Sequence, residues 1–166
     1  MFECPICDFP ETDDLRTILD HINDPSAIVP LACDFAERVV DLTRDTTDSR
    51  AWLQAARDWE ADRAAAQQAA AISRAAWVLS EKAEQVSMAE VAATWAAWCA
   101  ISTAVVTDET AASMAMRAAE WARDASDNHD GEAAWQRKHV RTVACTCTWM
   151  MSTPSGARNR NSLLAS

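Results

Sequence analysis

Alanine occupies 35 of the 166 positions in this chain and glycine only two. A backbone so rich in the strongest helix former, and so poor in the residue that frees it to turn, is committed to helices before any periodicity is read. Eight tryptophans fall in the same stretch, Pro30 to Met151, that holds almost all of the alanine. Small residues let helix axes approach closely, and a large indole fills the space where crossing helices diverge. The expected fold is all-α: one compact bundle of six or seven helices, its crossings plugged by tryptophan. No segment carries the alternating period of a strand.

Signals along the chain divide it into three parts. Residues 1–29 form an alanine-poor acidic segment holding Cys4 and Cys7, with a short helix expected from Thr12 to His21, capped by Thr12 or Asp13. Residues 30–151 form the helical domain, opened by Pro30, since a first helical position needs no N–H. In that domain Leu31, Phe35, Val39 and Leu42 recur at helical spacing. Asp48 is expected to cap the next helix, which carries Trp52 and Trp59 on one face. A helix follows from Arg63 to Lys82, then a Ser87-Met88-Ala89-Glu90 capping box that opens Met88 to Val106. Asp108 opens a helix to Ser126, and Asp130, after the Asp127–Gly131 loop, caps the last one to Met151. Residues 152–166, with Pro154 and Gly156 and no core pattern, are expected to be a disordered tail.

Charge is unevenly spread. Residues 1–62 hold 15 Asp or Glu against five Arg, so the whole surplus of −10 lies in the first third. Such a field disfavours direct nucleic-acid binding, whose phosphate contacts need Lys and Arg, and favours a basic protein partner. The longest uncharged run, Val91 to Thr107, is shorter than the roughly 20 residues a membrane span needs, which points to a buried core helix. The N-terminal Met-Phe-Glu-Cys-Pro has neither a basic region nor an apolar run behind it, so a cytoplasmic location is expected.

Catalytic constellations are lacking in the pattern. His129 falls in a polar loop and His139 on an exposed-looking stretch, with no nucleophile, base and orienting acid at meaningful spacing. Two glycines cannot build a phosphate-cradling loop. No enzyme activity is expected. Cys4-Pro5-Ile6-Cys7, with His21 further on, matches the opening of a zinc site, and Cys33 or Asp24 would have to complete the tetrahedron. A structural zinc, a non-metal thiol pair and a redox pair all remain open, and no other cofactor is expected. The tryptophans are mainly core. Trp52 and Trp59, bordering the acidic third, are the best interface candidates.

The run Leu31-Ala32-Cys33-Asp34-Phe35-Ala36-Glu37-Arg38-Val39-Val40, a polar gap, and then Ser49 to Trp59 resemble the start of the immunity protein family of bacterial polymorphic toxin systems. There an Ala-(Cys/Asp)-x-Ala-Glu-Arg-Val helix precedes an Ala-Ala-Arg-x-Trp helix. Alanine-rich helices follow, up to a closing segment like Glu132-Ala133-Ala134-Trp135-Gln136. The resemblance spans about residues 30–142 and implies a small cytosolic helical protein that binds and blocks a toxin without turning anything over. It assigns no individual contact. The charge map adds the expectation that the partner is basic and that Asp41, Asp45, Asp48, Trp52 and Trp59 face it. The alternative is a regulatory or adaptor protein bearing a small N-terminal zinc segment built on Cys4, Cys7, His21 and Cys33.

Overall fold

The computed structural model describes residues 14–22, 24–83, 86–106 and 108–151. Among them are seven α-helices and no strand: α1 (Leu15–Ile22), α2 (Pro25–Glu37), α3 (Thr46–Arg57), α4 (Arg63–Lys82), α5 (Met88–Thr103), α6 (Asp108–Ala125) and α7 (His129–Met151). A single 3-10 turn, Val40–Leu42, links α2 to α3. The all-α bundle is as the composition requires. The expected tail, and residues 1–13 with Cys4 and Cys7, lie outside the described residues.

Helix starts follow short polar side chains, though not always the ones anticipated. Thr12 and Asp13, expected as the cap of α1, lie outside the described residues, and Asp14 opens the helix, taking bonds from the Thr17 hydroxyl and amide. These bonds hold its carboxyl below its ordinary pKa. The helix expected at Pro30 begins five residues earlier, so the border at residue 29/30 falls inside α2. Asp24, extended as a residue before proline must be, accepts from the Ser26 amide at 3.0 Å, and Pro25 takes the first turn. Pro30 is then an interior proline. The helical bond it cannot make would have gone to Ser26, which is exposed, so water can take that carbonyl. Asp45, not Asp48, caps α3, accepting from the Asp48 amide at 3.2 Å. Asn128, not Asp130, caps α7 through the Gly131 amide at 3.0 Å. Ser87 caps α5 as expected.

α5 is the hub, packing against α2, α3, α4 and α6, and most of its residues are buried. Its most extensive contact is with α6, where Ala93, Ala96 and Ala100 on α5, Ala104 just after it, and Ala111, Ala115, Ala118 and Ala122 on α6 are all buried at three- and four-residue steps. The larger side chains of the core come from α1 and α2, chiefly Ile18, Leu19, Ile28, Leu31 and Phe35. The N-terminal helix therefore belongs to the same core as the alanine-rich bundle.

Tryptophan joins α4 to this centre. Trp77 of α4 stacks on Trp98 of α5 at 5.1 Å and meets Trp95 at 4.3 Å, while Trp95 stacks on Trp121 of α6 at 4.5 Å. The indole N–H groups of Trp77 and Trp95 are enclosed without a hydrogen-bond acceptor among the described residues. Trp135 of α7 plays a separate part, edge-on to Phe35 of α2 at 6.3 Å. Among the described residues no helix is long and apolar enough to cross a membrane.

Candidate functional site

Two faces of α3 decide what the acidic third can do. The face turned to α2 is tied up in ion pairs. Arg57 reaches Asp34 at 3.0 Å and Glu37 at 3.4 Å, and Arg50 reaches Glu37 at 3.1 Å and Asp41 at 2.9 Å. Burial alone would pull the Arg57 guanidinium down, but its bond to Asp34 and the neighbouring carboxylates carry it above its ordinary value. The network continues into α7. His139 Nε2 lies 2.8 Å from the second Asp34 oxygen, and its ring stacks on Trp135 at 4.7 Å. Arg38 sits 4.2 Å over the other indole contact, the Trp135 ring centroid, and bonds the buried Glu132 at 2.7 Å. His139, expected on an exposed stretch, is a half-buried clamp between α7 and α2.

The ends of α3 differ. Asp45 and Asp48 at its start, and Asp58, Glu60 and Asp62 just beyond its end, form no ion pair among the described residues. Of the three carboxylates expected at an interface, Asp41 is thus partly neutralised by Arg50, while Asp45 and Asp48 keep their charge. Trp52 and Trp59 are both half-buried against the core. Trp52 borders the first acidic end; Trp59 lies at the second, with the Arg63 guanidinium 5.6 Å from its ring.

A cavity of about 190 Å³ opens beside the first end, between α3, α4 and α5. Each helix lines it with one stripe. Asp45, Ser49 and Trp52 come from the start of α3, Ala76, Leu79 and Ser80 from α4, and Glu90 and Thr94 from α5. Thr43 and Arg44, between the 3-10 turn and α3, complete the wall, and Arg44 Nε approaches Glu90 at 3.4 Å. That contact replaces the second half of the expected capping box, in which Glu90 would have turned back to the Ser87 amide. Three lining hydroxyls are spent on nearby carbonyls: Thr43 on Val40, Ser80 on Trp77, Thr94 on Glu90. Ser49, only 3% exposed, makes no side-chain hydrogen bond among the described residues. Sequence reasoning found Asp45 and Trp52 but missed Ser49 and Glu90. Their helical offsets from those residues become informative only once the three helices are known to meet.

Of the proposed metal ligands, Cys4 and Cys7 lie outside the described residues. Cys33 is sealed between α2 and α3, its thiol directed at the Leu53 carbonyl at 3.7 Å. Burial pushes that thiol up to about 12, opposed by the Arg57 charge, so it is a protonated core residue and not a ready thiolate ligand. His21 is exposed near the end of α1. Among the described residues no group of three His, Cys, Asp or Glu side chains is arranged to hold a metal ion.

No protein-family model, curated protein or solved structure matches the chain.

Proposed function

We propose that this chain is an immunity protein that binds and neutralises a cationic protein toxin, docking through the two acidic ends of α3. The observation that carries this reading is the contrast within one helix. Carboxylates of α2 and the 3-10 turn that face α3 are paired with its arginines, whereas Asp45, Asp48, Asp58, Glu60 and Asp62 have no ion pair among the described residues and lie beside half-buried Trp52 and Trp59. Unpaired surface charge steers an oppositely charged partner, and a partly enclosed indole supplies contact energy once it arrives. The resemblance of residues 30–142 to immunity proteins supports the same role.

The test is co-expression with the toxin-domain product of the neighbouring reading frame, paired with association kinetics on the purified proteins. Neutralisation is expected, with an association rate that falls steeply as salt is raised. Asp48→Lys with Glu60→Lys, both clear of the core, should slow association by about tenfold. Loss of protection by the unaltered chain, or binding indifferent to both salt and charge reversal, would overturn the proposal.

A further inference from the structure

The cavity at the first acidic end of α3 has the chemistry of a receptor for one side chain. Its volume of about 190 Å³ corresponds to about six waters, close to the number of non-hydrogen atoms in an arginine side chain. Trp52 and Ala76 offer apolar wall to an alkyl stem, while Asp45 and Glu90 supply two carboxylates against the single cation Arg44. Ser49, itself 3% exposed, adds a hydroxyl that lines the cavity and makes no side-chain hydrogen bond among the described residues. Its oxygen lone pairs are open to an incoming donor. Leu79, at the rim, is 68% exposed, which suits a protein surface closing over the mouth.

Arg44 identifies the head group. Its side chain is largely in solvent, yet its Nε reaches inward to Glu90 at 3.4 Å, so the mouth already holds a guanidinium supplied by the chain itself. A long contact of this kind between one exposed and one half-buried group is weakly held and exchangeable. We propose that the cavity is an anchor pocket for one arginine side chain of the protein partner, in which the incoming guanidinium displaces Arg44 from Glu90 and accepts Asp45 as its second counter-charge, with Ser49 Oγ as a further acceptor. This rests on the toxin-neutralising reading and names the chemical group that such a partner must present.

The pocket can be tested without any toxin. Arginine blocked as its N-acetyl methylamide is titrated into the full chain, and the Ser49 amide and Trp52 indole N–H signals are followed by nuclear magnetic resonance. Saturable shifts at these two groups are expected, with blocked citrulline, the neutral analogue, weaker by about tenfold. Glu90→Gln should weaken arginine by a similar factor. Arg44→Ala should instead tighten it about threefold, the worth of an exposed ion pair, an effect that damage to the fold would not produce. Equal binding of citrulline, preference for blocked glutamate, or weakening by Arg44→Ala would each overturn the assignment, as would shifts that never appear at these groups. Because no toxin is present, failure of the pocket and failure of the neutralising function are read separately: a chain that protects against the toxin but ignores arginine loses only the pocket.

Discussion

The Cys33 thiol lies between α2 and α3, fully enclosed and bonded only to a backbone carbonyl. Its pKa of about 12 in the folded chain stands above the value near 9 that it has when exposed. A raised pKa means that the folded state holds the proton more tightly, so this thiol has no effect on stability below about pH 9 and takes stability away as pH climbs from there toward 12. Unfolding by denaturant should therefore show a loss approaching about 1.4 kcal/mol per pH unit in that window from this group. Cys33→Ala, whatever it costs at neutral pH, should flatten the slope by that amount; an unchanged slope would show that Cys33 ionises no differently in the two states. None of this was visible in Cys4-x-x-Cys7 and Cys33 as a spacing. The residue was legible as a helix position, but its partner, the Leu53 carbonyl, comes from a helix 20 residues away.

Beside the stacked Trp95 and Trp121, both α5 and α6 bury a row of alanines that leaves little room for a larger side chain. Ala118→Leu should cost about 1–3 kcal/mol by overpacking, whereas Ala64→Leu, on the exposed side of α4, should cost close to nothing. Equal losses in both variants, measured by urea denaturation, would mean that the alanine seam is not closely packed. Helices of this kind are the most legible part of the sequence, because propensity and spacing agree over many residues. Their ends were less so. Asp24-Pro25-Ser26 is a strong start signal, but Pro30 competes with it, and the choice turns on whether the Ser26 carbonyl can reach water. At Asp45-Thr46-Thr47-Asp48 both aspartates satisfy the rules for a cap, and only the three-dimensional entry of the chain from the 3-10 turn selects the first.

Across the whole molecule, the excess negative charge of the first third proves to be sorted rather than uniform. Arginines of α3 pair with the inner carboxylates of α2 and leave the ends of α3 without ion pairs among the described residues. The sequence could count these charges but not pair them, since the pairs join residues as distant as Asp34 and His139. The cavity likewise depends on three helices meeting, and so was out of reach of any single stripe.

The tryptophan cluster has a consequence of another kind. Trp77, Trp95, Trp98 and Trp121 lie with neighbouring centroids 4.3 to 6.2 Å apart, on three different helices. Indoles this close do not absorb light independently: their transitions mix and give a paired positive and negative band in circular dichroism. Trp77→Phe should reduce that pair, leaving the part due to Trp95, Trp98 and Trp121, with the helical signal intact; a spectrum unchanged by the substitution would place α4 away from the other rings. Since Trp77 is the contribution of α4, the band reports on whether that outer helix is seated, and the chain carries its own optical gauge of a motion that backbone helicity would not register.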